Sequence, residues 1–310
     1  MRTVDRARPL PGLGRTALLL PGGGSDEVFI EVAFRAPLEA FGLRLVAPRP
    51  CPGTGVVAGY LAALDAEMDT AAEMDTAADA EKNTPLVIGG VSLGAQVAVR
   101  WAAHRARHGL AGPAGLLLAL PAWTGPAGQA PAALAAAATS ARLRRQGLPI
   151  TLAHARARTP GWLGDELARA WARHGDSLAD ALETASTAPG PTEQELATVS
   201  VPVGLVGLRD DPIHPLAVAQ RWRALLPHAE LVTTTLAAIG RDRAVLGRAA
   251  TLAWLRAAHG PAVRCAYPHG TVTGGTPGGA GRRGRAVSRT CGDDLDGRHW
   301  PANPESPPSR

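Results

Sequence analysis

Short runs of apolar residues, each followed by turn-forming residues and then by a helix-forming segment, recur through the first 260 residues of the chain. The runs are RTALLLPGGG, LRLVAPRP, PLVIGGVS, GLLLALPAW, VPVGLVGLRDD and AELVTTTLAAIG. Their apolar residues do not alternate with polar ones, which is typical of strands in a sheet that helices cover on both faces. The pattern therefore predicts an α/β fold with a mostly parallel, doubly wound sheet.

The strand pattern stops between residues 128 and 197. Apolar and aromatic side chains recur there at helical spacing, at Trp162, Leu163, Leu167, Trp171 and Leu178. Strand-like residues resume at Val201. We therefore expect a lead at 1–14, a core formed by 15–127 and 198–258, and a helical cap insertion at 128–197.

The final segment, residues 259–310, is rich in Gly, Pro, Arg and Ser and has almost no clustered apolar positions. Such a segment cannot offset the entropy of ordering by burial, so we expect it to be disordered. The alternative is a basic tail that docks on a partner, because the segment has seven Arg against three Asp and one Glu.

Net charge argues against nucleic acid as a partner. The chain carries +5 overall, and most of that excess lies in the tail, so the preceding residues are nearly neutral. Lys82 is the only lysine in the chain. A surface that binds phosphates needs a cluster of basic residues, which this distribution does not predict.

Apolar run length and cysteine spacing limit the cellular setting. The chain has no uninterrupted apolar run near the roughly 20 residues that cross a bilayer, so we expect a soluble protein without a membrane partner. Cys51, Cys265 and Cys291 show no C-x-x-C spacing. We therefore expect no disulfide framework, zinc site or other metal site. We expect a reducing cytoplasmic location.

Residues Gly90-Val91-Ser92-Leu93-Gly94 fit the pattern G-x-S-x-G. An apolar run precedes this pentapeptide and a helical pattern follows it. A serine at such a tight strand-to-helix turn adopts strained backbone angles, and glycines two residues to either side relieve the crowding. Ser92 is therefore a candidate nucleophile.

With this motif the chain resembles the α/β-hydrolase superfamily over residues 15 to about 258. The resemblance implies a serine nucleophile at Ser92 and an oxyanion hole formed by the backbone amides of Gly23 and Leu93. Gly22, Gly23 and Gly24 follow the first apolar run, and glycines let a backbone approach a ligand closely. We expect Gly24 to contact substrate, although these glycines alternatively form only a turn. They lack the Lys-Ser/Thr ending of a P-loop, and no cofactor is expected.

The resemblance implies an acidic residue after the penultimate strand. Two registers compete there, because Gly-x-x-Asp counted from Gly207 selects Asp210 and Asp-Pro-x-x-Pro selects Asp211. We favour Asp211, since the prolines constrain the loop directly. The alternative is that both residues only form the turn and cap a helix.

The sequence differs from the superfamily pattern at the position of the catalytic base. Gly240-Arg241 stands where the resemblance implies Gly-His. Arginine stays protonated and cannot accept the serine proton. His214, inside the acid-bearing loop, is the best substitute, because loops at the carboxyl ends of parallel strands converge. His154 and His174 in the insertion are alternatives, and Arg241 is expected either to pair with Asp211 or to bind an anionic group of a ligand.

Two functions follow from these residues. The first is a serine hydrolase that cleaves an ester, thioester or amide of a small apolar substrate, with Ser92, Asp211 and His214 as its catalytic residues. The insertion, with Trp123, Trp162 and Trp171 near or within it, would cap its acyl pocket, and Trp123 is expected to contact substrate. The second is a binding protein of the same fold that has lost its base, which the Gly-Arg replacement favours.

Overall fold

The structure of the chain is a computed structural model that describes residues 16–76 and 86–260. Six parallel strands form one sheet in the order β2-β1-β3-β4-β5-β6. The strands are β1 (Thr16–Leu20), β2 (Arg44–Val46), β3 (Leu86–Val91), β4 (Gly115–Ala119), β5 (Val203–Leu208) and β6 (Ala229–Thr234). Each of the six apolar runs contains one strand, so the predicted parallel α/β sheet is confirmed.

Ten α-helices connect and cover these strands in the described residues. They are α1 (Glu27–Glu39), α2 (Val56–Thr76), α3 (Leu93–Arg107), α4 (Pro131–Arg156), α5 (Gly161–His174), α6 (Leu178–Thr187), α7 (Glu193–Thr198), α8 (Leu216–Leu225), α9 (Leu236–Arg241) and α10 (Ala244–His259).

Helices pack on both faces of the sheet. In β1, Leu18 and Leu20 belong to one buried cluster, which includes Trp222 of α8. The alternate residue Leu19 belongs to a second cluster, which includes Trp254 of α10. Successive side chains of a strand point to opposite faces, so burial of both sets explains why the strands lack polar alternation.

Four helices, α4 to α7, lie between β4 and β5. They have a small apolar centre of their own, which includes Trp171, Leu178 and Leu182. The helix α4 is broken at Gly147, whose φ of 72° and ψ of 175° are not helical. We call residues 131–198 the cap.

The strand order creates a crevice at the carboxyl edge of the sheet. The chain runs from β1 to β2 on one side and then returns to β3 on the other side of β1. Loops that leave the two strands at such a reversal diverge, and ligands bind between them in open α/β sheets. The loops after β1 and β3 carry Gly22 to Gly24 and Ser92.

Two predicted segments fall outside this description. The lead at 1–14 and all but the first two residues of the tail at 259–310 lie beyond the described residues, so disorder of the tail stays a prediction. Among the helices that the structure describes, none combines the length and apolar character that crossing a bilayer requires.

Candidate active site

Ser92 forms a sharp turn between β3 and α3. Its φ of 53° and ψ of −111° lie in a region that residues other than glycine rarely adopt, and such strain costs on the order of 1–3 kcal/mol. Its side chain does not cap α3. The hydroxyl is therefore free for an interaction outside the helix.

The glycines at either side of Ser92 are required by close packing against β1. A Cβ on Gly90 would lie 2.4 Å from the carbonyl oxygen of Leu20, and a Cβ on Gly94 would lie 2.2 Å from the same oxygen. Both distances are shorter than any contact that a real Cβ makes. The G-x-S-x-G spacing is thus required because the carbonyl oxygen of Leu20 lies close to both Gly90 and Gly94.

Ser92, His214 and Asp211 form a continuous hydrogen-bonded chain. The Nε2 atom of His214 lies 3.0 Å from the Ser92 Oγ atom, and its Nδ1 atom lies 2.8 Å from Oδ2 of Asp211. A carboxylate can only accept, so Nδ1 carries the proton and Nε2 is free to accept from the serine hydroxyl. This is the order of groups that can activate a serine.

The loop between β5 and α8 holds the acid and the imidazole together. Oδ1 of Asp211 accepts hydrogen bonds from the backbone N–H groups of Ile213 at 2.8 Å and His214 at 3.2 Å. The Asp211 side chain is only 6% exposed. Burial raises the pKa of this carboxyl, but the hydrogen bond and charge of His214 together with the two amides lower its pKa below the ordinary value. Asp211 is therefore ionised at neutral pH.

Asp210 has a different partner. Its Oδ1 atom accepts a hydrogen bond from the Leu236 backbone N–H at 2.7 Å, where α9 begins. This contact ties the loop after β5 to the loop after β6. Of the two registers left open by the sequence, the Asp-Pro-x-x-Pro spacing therefore selects the carboxylate that faces the imidazole.

The glycine turn, Gly22 to Gly24, lies beside Ser92. A Cβ on Gly22 would lie 3.5 Å from Cβ of Ser92. On the other side, a Cβ on Gly23 would lie 2.8 Å from Ala185, and one on Gly24 would lie 2.9 Å from Leu182. Because the cap packs directly on Gly23 and Gly24, neither of these two positions has room for a side chain.

A cavity of about 170 Å³ opens between the sheet edge and the cap. Ser92, Asp211 and His214 line it, as do Gly23 and Gly24. The remaining walls are largely apolar and include Phe29, Val91, Leu120, Trp162, Leu163, Leu167, Leu208, Leu236, Ile239 and Leu246. A cavity of roughly 150 Å³ with such walls accommodates a molecule the size of benzene.

Comparison with solved structures finds similar arrangements of strands and helices. MenH from S. aureus superposes with a TM-score of 0.56 at 16% identity, over 81% of this chain and 96% of that one. A thermophilic esterase from Thermogutta terrifontis gives a TM-score of 0.55 at 20% identity, over 79% and 90%. An enol-lactonase from Burkholderia xenovorans gives 0.51 at 15% identity, over 71% and 83%.

The chain has the α/β-hydrolase fold. No model of a known protein family matches the sequence, and no curated protein matches it either. The resemblance that the sequence predicted is thus confirmed at the level of fold.

Arg241 ends α9 and is exposed in this α/β-hydrolase fold. It is absent from the described residues that line the cavity, and the partners of Asp211 are His214 and backbone amides. Arg241 therefore does not pair with Asp211 in this structure, and its contact with a ligand stays a prediction. The reason is local, since α9 continues through Arg241 and directs its side chain to the surface.

Trp123 also departs from its expected place. It is buried against Ala122 and Ala133, beneath the start of α4, and it does not appear in the cavity wall. Contact of Trp123 with substrate stays a prediction, which the lining of this cavity does not support.

The two cap histidines lie apart from Ser92. His154 of α4 contacts Arg158, which follows the end of that helix, and Nε2 of His174 lies 2.9 Å from the carbonyl oxygen of Ser25. In the described part of the chain, His214 is the imidazole that contacts Ser92.

Two charged residues of α5 that sequence reasoning did not assign to the site, Glu166 and Arg169, line the cavity beside Trp162. A Cβ on Gly240 would lie 2.6 Å from the Trp162 ring, so this indole covers the glycine of the Gly-Arg pair. The helical spacing of Trp162 predicted burial, but nothing in the sequence indicated that its side chain would pack against α9. Within the described ranges, no group of three His, Cys, Asp or Glu side chains could hold a metal ion.

Proposed function

We propose that the chain is a serine hydrolase that cleaves an ester, thioester or amide with a small apolar acyl group. The single observation that carries this proposal is the chain of hydrogen bonds of 3.0 and 2.8 Å from Ser92 through His214 to Asp211. A cavity lined by all three residues supports it.

The reaction starts when the Ser92 oxygen attacks the substrate carbonyl carbon and its proton passes to Nε2 of His214. The carboxylate of Asp211 stabilises the imidazolium that results. Backbone amides of Gly23 and Leu93 donate to the oxyanion of the tetrahedral intermediate. Leu93 is the first residue of α3, so its N–H has no partner within the helix and belongs to the positive end of the helix dipole.

Collapse of this intermediate breaks the bond to the leaving group, which takes the proton from His214. The acyl group then remains on Ser92. Water attacks the acyl-enzyme and gives a proton to the same imidazole. The bond between the acyl carbon and the Ser92 oxygen then breaks, the acid leaves, and His214 returns its proton to that oxygen. Because His214 and Asp211 belong to one loop, the relay in this proposal does not use Gly240-Arg241 at the end of α9.

A fluorophosphonate probe tests the proposal, because it reacts only with an activated serine. We expect the purified wild type to be labelled and both Ser92→Ala and His214→Gln to lose labelling. His154→Gln serves as the matched control and should still react. Labelling that survives in His214→Gln would assign the base elsewhere, and a folded wild type that is never labelled would favour the binding protein.

A further inference from the structure

The helix α5 makes polar contacts with the residues that follow the glycine turn. Arg169 Nη2 lies 2.7 Å from Oδ1 of Asp26, and Arg169 Nε lies 3.2 Å from Oδ2 of the same carboxylate. Arg173 Nε lies 3.5 Å from Asp26 Oδ2. His174 donates to the carbonyl of Ser25 at 2.9 Å. We call Glu166, Arg169, Arg173 and His174 the α5 clasp.

Asp26 accepts the hydrogen bonds of Arg169 in the clasp. Its side chain is 2% exposed, and Oδ1 also accepts from the Phe29 backbone N–H, so it caps the start of α1. A buried carboxylate is stable only when charged or hydrogen-bonding partners compensate the loss of water. The clasp supplies that compensation from a helix 143 residues away in sequence, so the position of Asp26 depends on α5.

The clasp continues across the cavity to its opposite wall. Glu166 accepts from Arg169, and its other oxygen lies 3.4 Å from Nε of Arg243. Arg243 donates to the carbonyl oxygens of Ile239 at 2.9 Å and Gly240 at 2.8 Å. Its guanidinium also stacks on the Trp162 ring at 4.3 Å. One connected set of charged groups therefore joins the loop after β1 to α9 over the cavity.

We infer that Arg169 is a positioning residue that holds the glycine turn in the geometry the oxyanion needs. Its planar guanidinium binds both oxygens of Asp26, which fixes the carboxylate in angle as well as distance. Asp26 lies two residues after Gly24, and Gly23 and Gly24 have the cap on their outer side. The clasp therefore sets where the Gly23 amide lies relative to the Ser92 oxygen.

This inference rests on the proposed function, since a turn that positions an oxyanion matters only if Ser92 forms one. Arg169→Met removes the fork and keeps an unbranched apolar stem. Arg173 stays beside Asp26 in that variant and limits the loss of stability. Asp26→Asn combined with Arg169→Met leaves no buried charge and keeps a residue that caps helices well. Arg144→Met is the matched control, because Arg144 pairs with Asp180 and Glu183 on the exposed side of the cap.

The experiment measures the rate constant and the endpoint of fluorophosphonate labelling, together with kcat and KM for p-nitrophenyl acetate. Loss of one oxyanion donor typically lowers kcat about 10²–10³-fold, and displacement of a donor should cost less, about tenfold. We expect Arg169→Met and the double variant to be labelled completely but about tenfold more slowly. Because the lost interaction acts in the transition state, kcat should fall with little change in KM.

Arg169→Lys should recover part of the rate, since an ammonium reaches one carboxylate oxygen but lacks the fork. Arg144→Met should react as the wild type does. A wild-type rate constant in Arg169→Met, or a lower endpoint at an unchanged rate constant, overturns the inference and leaves the proposed function intact. A wild type that is not labelled overturns both.

Discussion

At the scale of single residues, Asp211 contributes a buried negative charge to the site. Its carboxylate is held by three donors, two of them backbone amides in its own loop. These contacts exist only in the folded chain, so the carboxyl releases its proton more readily there than in the unfolded chain. Stability and pH are therefore coupled at this residue.

The variant Asp211→Asn should lose stability at neutral pH. The pKa of Asp211 is lowered because His214 and the backbone amides outweigh the effect of burial, which acts in the opposite direction. Such a group stabilises the fold above the pKa of an unfolded aspartate, about 4, and that contribution disappears as the pH falls through the folded-state value. Urea unfolding should show a larger gap between wild type and variant at pH 7 than at the lowest pH where both are folded.

Asp210→Asn is the control for this measurement, since it changes the neighbouring carboxylate on the exposed side of the loop. A gap for Asp211→Asn that stays constant or widens as the pH falls contradicts the expectation. Under the proposed function the same variant should also lose activity, by about 10⁴-fold if it behaves as the acid of a serine triad does, whereas Asp210→Asn should retain most of it.

At the scale of elements, the pattern of apolar residues was sufficient to predict the strands of the sheet. Runs such as PLVIGGVS became β3 because fully buried strands need continuous apolar residues, and this local requirement is visible in a single sequence. The contact between Asp26 and Arg169 could not be predicted in the same way. Both residues are ordinary surface types, and only the packing of α5 on the glycine turn makes their charges partners.

The break in α4 is a second feature that the sequence pattern did not predict. Gly147 has φ 72°, in the region that favours glycine, and the open space around it would admit a methyl group. Gly147→Ala should therefore destabilise the protein through backbone strain alone, by about 1 kcal/mol. Thermal unfolding of the variant should show a lower midpoint.

Gly161→Ala is the matched control, because Gly161 starts α5 with open space around it and without a positive φ. It should leave the midpoint unchanged or raise it slightly, since alanine favours helix. Equal midpoints for Gly147→Ala and the wild type would show that the break does not depend on glycine.

At the scale of the whole molecule, core and cap together enclose the cavity. The cavity of about 170 Å³ has one wall from the sheet edge and another from α5. Under the proposed function, kcat/KM for p-nitrophenyl esters should be highest for acetate to butanoate and lower for long acyl chains, because a long chain cannot be enclosed. A preference for hexadecanoate over butanoate contradicts this.

A smaller wall residue should shift that preference. Leu167→Ala enlarges the cavity from the cap side without touching Ser92, His214 or Asp211. It should raise the ratio of hexanoate to acetate turnover. Leu134→Ala, an exposed leucine on α4, is the matched control and should leave the ratio unchanged.

The arrangement of acid and base within four consecutive residues has a consequence for how the protein can change over time. Their mutual geometry is set by one short loop with a proline on either side of Ile213 and His214, rather than by the packing of two distant loops. Substitutions near the end of α9 are then free to accumulate without separating proton donor from acceptor. Under the proposed function, arginine at position 241 is compatible with an intact relay, because the imidazole of His214 belongs to the same loop as the carboxylate of Asp211.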